Sequence, residues 1–321
     1  MARTPKFVYY IRANLMRLTP KFILRSRLKN ALKEVENSPE KEYLMSRVNY
    51  YNKLQEGATL PDDAPVLKEH TLKNKKSGSV YFYDSYEVTR HFPDHLRWLL
   101  KGGDVTTVPP HPTIVKSRPI DGENANSVLL KLNKVRHFIF VKDKIPFEQK
   151  HDKIIFRGDA NGKPARIRFF EKWFGHPKCD MIDTAGHSKN PEEWKGKGMS
   201  IEAHLKYRYI MALEGVDVAT NLKWVMSSNS IAVMPRPTYE TWFMEGKLIP
   251  NYHYIEIKPD YSDLLERIEY YNNHIDEANE IIRHANEYAA QFRNKKRERL
   301  IQLLVMNEYF KRTGQELSDA H

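Results

Sequence analysis

From residue 153 onward short apolar runs alternate with helix-like stretches, and no other feature of the chain restricts its fold as much. The runs lie at Ile154-Ile155-Phe156, Met181-Ile182, Ile231-Ala232-Val233-Met234 and Tyr254-Ile255-Glu256-Ile257. Between and after them the pattern predicts helices over 164–173, 200–213, 220–227 and 261–271. Such alternation implies a parallel sheet wrapped by helices. Ala278, Ile281, Ile282, Ala285 and Ala289 then mark one face of a helix expected to run from 277 through 310.

The first half is less regular. Ser38 is placed to cap a helix continuing to residue 54, with Pro39 at the tolerated first position. A loop follows over 56–76. Val80-Tyr81-Phe82-Tyr83 reads as a strand, 96–100 as a helix end stopped by Gly102-Gly103, and Ile114-Val115 and 137–141 as further strands. At 321 residues the chain is long enough for two cores, and no apolar run approaches the roughly 20 residues that span a bilayer.

Of the net charge of +11, nine units come from Arg3, Lys6, Arg12, Arg17, Lys21, Arg25, Arg27, Lys29 and Lys33, with no acid among the first 33 residues. The rest of the chain is nearly neutral. A nucleic-acid binder spreads its bases over the folded body as a groove or stripe, so that class is disfavoured. Leu24, Leu28 and Leu32 recur beside Lys21, Arg25, Lys29 and Lys33 at helical spacing. That helix either lies on anionic headgroups or packs its leucines on the body. The single cysteine, Cys179, excludes an internal disulfide framework and points to a reducing, cytoplasmic compartment.

Phe156-Arg157-Gly158-Asp159, with Asn161-Gly162 and Arg166 after it, joins arginine, a glycine turn and a helix start, the groups that hold a diphosphate without a metal. For Arg157 a salt bridge at the strand end is the competing reading. No Asp-x-Asp triplet occurs, so no metal is expected. His176, Cys179 and His187 have no zinc-ligand spacing and are read as loop residues.

These residues form an ordered series with His204-Leu205-Lys206-Tyr207-Arg208-Tyr209, Glu214-Gly215-Val216-Asp217, Trp224, Ser228-Asn229-Ser230, Tyr239-Glu240-Thr241-Trp242 and Pro250-Asn251-Tyr252-His253-Tyr254. The series resembles glycosyltransferase family 90. The resemblance runs from about Val80 to Phe292 and implies an α/β protein of GT-B type, two Rossmann-like domains facing a cleft, to which the residue patterns add basic N-terminal helices and a long C-terminal helix. Together these readings divide the chain into basic helices (1–55), an acceptor-side domain (56–150), a nucleotide-sugar domain (151–290) and a C-terminal helix (291–321). The resemblance further implies donor contacts from Arg157, Gly158, Asp159, Arg166, Lys206, Asn221, Lys223, Ser228, Asn229, Ser230 and Glu240. Relatives carry an arginine near Asn221, and Lys223 is the nearest cation here. Ser228 to Ser230 equally suit a helix end, and Glu240 a solvated carboxylate. Trp242, Pro250, His253 and Tyr254 are expected to shape the fold.

Inversion needs a base for the acceptor hydroxyl. The family's aspartate, ahead of a lysine-bearing strand, matches Asp104, with Asp84 and Asp121 as rivals. Lys116 and Arg118 would line the acceptor side. The expectation is an inverting, metal-independent transferase moving a hexose or pentose from a UDP-sugar to a lipopolysaccharide core or other surface glycan. It would work at the cytoplasmic face of the inner membrane, without nucleic acid. The rival is a non-catalytic basic protein binding nucleic acid or anionic glycan through its N-terminal arm.

Overall fold

The computed structural model describes residues 6–74 and 78–317. Arg3 of the basic stretch and Lys75-Lys76 of the expected loop lie outside the described residues. In chain order the helices are α1 (Lys6–Met16), α2 (Lys21–Glu36), α3 (Lys41–Tyr51), α4 (Gly78–Thr89), α5 (Lys134–His137) and α6 (Pro164–Trp173). They continue with α7 (Ile201–His204), α8 (Leu222–Val225), α9 (Leu264–Asn273), α10 (Ile275–Ala290) and α11 (Lys295–Arg312). The strands are β1 (Leu100–Lys101), β2 (Thr113–Val115), β3 (Ser117–Pro119), β4 (Ser127–Leu129) and β5 (His151–Gly158). They end with β6 (Cys179–Asp183), β7 (Tyr207–Met211), β8 (Ile231–Met234), β9 (Tyr239–Thr241) and β10 (Ile255–Glu256).

The chain forms two compact units. Of the described residues, unit II holds 137–238 and 244–293, and unit I holds those before 137 together with 239–243 and 294–317. Unit II is built on a five-stranded sheet of order β10-β8-β7-β5-β6, parallel throughout. Ile154–Phe156 of β5 and Ile231–Met234 of β8 read as continuous apolar runs because both faces are covered. Ile154, Phe156, Tyr209, Met211, Ile231 and Val233 are all buried, packing with Phe169 and Phe170 of α6 and Ile281 of α10 in one core. The parallel α/β architecture expected of this half is thus present.

Unit I carries a three-stranded parallel sheet, β1-β2-β4, and an antiparallel pair, β3-β9. α11 packs against α2, α3 and α4. At its centre the Glu298 carboxylate accepts from Arg47 (2.9 Å), Lys131 (3.1 Å) and the Trp242 indole (2.6 Å). The Tyr51 ring stacks on Trp242 at 3.8 Å.

Several sequence expectations are corrected. Residues 80–83 belong to helix α4: Phe82, Ser85 and Thr89 are buried at helical spacing, and tertiary packing overrides the strand preference of the aromatic run. Residues 96–100 form no helix, and 137–141 form no strand. The helix expected over 200–213 stops at His204 and gives way to β7, because the aromatic and branched residues of Tyr207–Met211 pair between β5 and β8. α3 starts at Lys41, and Ser38 instead accepts the Glu40 N–H at 3.1 Å. The terminal helix is broken between α10 and α11, where the Asn294 carboxamide caps α11 through the Arg297 N–H (3.1 Å). Leu24 and Leu28 are buried, so the leucine face of α2 is taken by the protein body.

Candidate active site

In a parallel sheet the carboxyl ends of all strands share one edge, and ligands bind in the loops above it. In unit II that edge carries Gly158 at the end of β5, Asp183 at the end of β6 and residues 212–221 after β7. α6 starts just beyond Gly158. Its first turn holds no acid, no side chain caps it, and Pro164 occupies its start. The N–H groups and dipole of that helix end are therefore disposed toward an anion.

Arg166 ties this edge together. Its guanidinium donates to the carbonyls of Asp159 (2.7 Å), Leu213 (2.8 Å) and Glu214 (3.1 Å), joining the loops after β5 and β7, and lies 5.7 Å from the Phe156 ring centre. Two glycines make room for Arg166 and the Phe156 ring beneath it. A Cβ at Gly215 would come within 3.1 Å of an Arg166 terminal nitrogen, and one at Gly158 within 2.9 Å of the buried Phe156 ring. The Asp159 carboxylate accepts from Lys163 at 2.5 Å and from the Asn161 N–H at 2.9 Å. Lys189 and His187 are exposed nearby, bonded through their backbones to the Asn161 side chain.

Asp183, which sequence reasoning missed, organises the same edge. Burial alone would raise its pKa, but the N–H groups of Ala160 and Ala185, the Ser188 hydroxyl and the Asn190 amide hold it below the usual carboxylate range. The signal in the sequence was only an aspartate ending an apolar run. Arg157 turns away from the loop and pairs with Asp180 at 2.5 Å, the salt-bridge arrangement weighed against a phosphate contact. Burial raises the Cys179 thiol to about 12, which leaves it a poor nucleophile.

The other expected donor residues separate. The Asn221 amide donates to the Met211 carbonyl at 2.9 Å, on the carboxyl edge. Lys223 is fully buried and paired with Glu245 at 2.5 Å. Lys206 precedes β7 and Ser230 precedes β8, so Lys206, Ser228, Asn229 and Ser230 occupy the amino edge. β7 has five residues, and at about 3.3 Å per residue the edges lie roughly 15 Å apart, too far for one diphosphate to touch both. On that edge the Ser228 hydroxyl donates to the Val225 carbonyl (2.7 Å), the Ser230 hydroxyl to the Tyr207 carbonyl (2.7 Å), and the Asn229 N–H to the Asp143 carboxylate (2.9 Å). Of these bonds, that of Ser228 closes the end of α8, while those of Ser230 and Asn229 tie the turn to β7 and to Asp143.

Glu240 lies in unit I, on β9. It accepts from Arg118 Nε at 2.8 Å and from the Tyr50 hydroxyl. Arg118 also reaches the carbonyls of Tyr50, Tyr51 and Ser127, and both charged groups are sealed from solvent. A solvated carboxylate is therefore not what Glu240 is. Asp104 follows β1 and Lys116 follows β2, at the carboxyl edge of unit I's parallel sheet, where Lys116 donates to Asp104. Lys116 is buried while the Asp104 side chain is 35% exposed. Of its rivals, Asp84 is buried and bonded to Tyr9 (2.9 Å) and the Lys134 N–H (2.9 Å), and burial raises its pKa; Asp121 is exposed.

Among the described residues, no helix is long and apolar enough to cross a membrane.

The family model for glycosyl transferase family 90 matches residues 127–314. The chain is 40% identical over 308 residues to an O-glucosyltransferase LpsA from Dichelobacter nodosus, covering 95% of each protein. It is 27% identical over 137 residues to protein O-glucosyltransferase 3 from Homo sapiens, 41% of this chain and 26% of that one. It is 30% identical over 150 residues to protein O-glucosyltransferase 2 from Danio rerio, 44% of this chain and 29% of the relative. Coverage this broad, over a parallel α/β framework, makes the chain a glycosyltransferase belonging to glycosyl transferase family 90.

Proposed function

We propose that this chain is an inverting, metal-independent transferase of GT-B type. It moves glucose, or a related hexose or pentose, from a UDP-sugar to a lipopolysaccharide core or other surface glycan. Unit II takes the donor and unit I supplies the acceptor side. The enzyme works at the cytoplasmic face of the inner membrane, to which its basic N-terminal segment is drawn. The 40% identical relative bearing the name O-glucosyltransferase favours glucose.

The donor half rests on the carboxyl edge of the five-stranded sheet, where a glycine turn meets an uncapped helix start. The pyrophosphate sits against the first N–H groups of α6, with Lys163 and Lys189 as adjacent cations and Arg166 holding the loops in register. Charge that grows on the departing phosphate as the glycosidic bond breaks is met by dipoles already in place. The absence of an Asp-x-Asp triplet is the reason these groups are assigned the task.

In the acceptor half, Asp104 is the base. The acceptor hydroxyl attacks the anomeric carbon opposite the departing nucleotide, and its proton passes to the Asp104 carboxylate while UDP leaves with the bonding electron pair. Lys116 fixes the orientation of that carboxylate. Asp104 is favoured over Asp84 because a base must be reachable by solvent and substrate.

A screen of UDP-sugars read out as released UDP, with and without chelator, tests this reading. UDP-glucose is expected to give turnover that survives chelation, and Asp104→Asn to abolish transfer while keeping UDP binding. Turnover that persists in Asp104→Asn would move the base elsewhere, and chelator sensitivity would end the metal-free assignment.

A further inference from the structure

Helix α1 is apolar on two opposite faces, and only one is used. The inner face, Tyr9, Tyr10, Ala13 and Met16, packs on Phe82 and Tyr83 of α4. Hydrogen bonds fix it there: the Tyr9 hydroxyl donates to Asp84 at 2.9 Å, and that of Tyr83 to Asn14 at 2.9 Å. The outer face is bare. Phe7 is 74% exposed, Ile11 43% and Leu15 59%, at successive four-residue spacing, and Leu18 (77%) and Phe22 (73%) are exposed in the following turn and at the start of α2.

These are five of the eleven large apolar side chains exposed among the described residues. Phe7, Ile11 and Leu15 share one helix face and the other two follow within seven residues, a clustering that marks an interaction surface rather than ordinary scatter. Its surroundings identify the occupant. Exposed Arg12 and Arg17 flank the stripe, exposed Arg27, Lys29 and Lys33 follow on α2, and no acid occurs between Lys6 and Lys33. A protein partner would have to be both greasy and strongly acidic. An anionic bilayer presents both properties at once, since its headgroups take the cations and its acyl boundary takes the aromatic and aliphatic side chains.

We propose that α1 lies in the headgroup layer of an anionic membrane with Phe7, Ile11, Leu15, Leu18 and Phe22 inserted toward the acyl chains and the neighbouring arginines and lysines on the lipid phosphates. The inference rests on the membrane-facing part of the functional reading above and replaces its purely electrostatic attraction with insertion through a stripe other than the leucines of α2. Because the inner face of α1 stays docked on α4, the helix enters the interface without leaving the fold.

The test is co-sedimentation of the full chain with vesicles of phosphatidylcholine containing 30% phosphatidylglycerol, and with pure phosphatidylcholine. The variants are Phe7→Ser/Ile11→Ser/Leu15→Ser and Arg12→Gln/Arg17→Gln. Wild type is expected to pellet with the anionic vesicles only. The serine variant should bind at least tenfold more weakly, with its UDP-induced melting shift and vesicle-free UDP release unchanged. Serine-variant binding equal to wild type overturns the insertion, and if the arginine variant alone loses binding, attraction without insertion is the answer. Wild type that pellets with neither vesicle overturns membrane docking altogether, whereas loss of UDP release with binding intact would strike the transferase reading instead. A wild-type dimer in sedimentation velocity that the serine variant renders monomeric would assign the stripe to a second copy of the chain and also overturn the proposal.

Discussion

Replacing Glu240 with alanine separates a structural from a donor-binding role for this residue. Its carboxylate is the cross-strand partner of Arg118 in the β3-β9 pair, at 2.8 Å, with side-chain exposures of 2% and 0%. Removing one member of a buried pair typically costs about 3–5 kcal/mol, because the remaining charge is left uncompensated. Arg118 keeps three carbonyl partners, those of Tyr50, Tyr51 and Ser127, which places the loss near about 3 kcal/mol. At about 2–4 °C per kcal/mol for a folding unit of 150–250 residues, the size class of unit I, the melting temperature of that unit should fall by roughly 6–12 °C. Glu240→Gln retains an acceptor and should lose about 1–2 kcal/mol. The assay is thermal unfolding with and without saturating UDP: both variants should melt early yet keep the upward shift that a ligand binding the native state confers. An alanine variant that melts with wild type but no longer responds to UDP would refute the reasoning and return Glu240 to the donor site.

Gly158→Ala would drive a Cβ to 2.9 Å from the buried Phe156 ring, an overpacking worth about 1–3 kcal/mol; it should lower both the melting temperature and UDP affinity, as calorimetry can measure. Asp183 has a folded-state pKa depressed by its four donors, so its contribution is present above the unfolded value of about 3.9 and is lost as pH falls through the folded one. The stability gap between wild type and Asp183→Asn, measured by denaturant titration, should therefore be constant near neutrality and narrow below about pH 4; a gap that widens on acidification would contradict that sign.

What could be read from the chain alone follows from the range of the interactions involved. Ile154-Ile155-Phe156 and Ile231 to Met234 are strands because both faces are buried, and continuous apolar runs announce such strands locally. Tyr207–Met211 was hidden by its polar neighbours, since Lys206 and Arg208 suit a helix until β5 and β8 supply pairing partners. The aromatic run in α4 misled for the opposite reason: its strand preference yields to a face that α1 covers. At the site, Gly158 and Arg166 were legible as a strand–turn–helix unit, whereas the contacts of Arg166 with the carbonyls after β7 lie 47 and 48 residues away. Glu240 meets Arg118 across 122 residues, and Lys223 meets Glu245 across 22; a charge in sequence does not reveal which opposite charge will neutralise it. The split of Lys206 and Ser228–Ser230 from Gly158 became visible only once the strands were known to be parallel, because that places residues before and after a strand on opposite edges.

The most direct test of the donor site is a crystal structure of the chain with UDP bound. The diphosphate is expected at the carboxyl edge of the five-stranded sheet, within hydrogen-bonding distance of the backbone N–H groups that open α6 beyond Gly158. Density for the diphosphate beside Ser228, Asn229 and Ser230, or on the three-stranded sheet near Asp104, would contradict this placement.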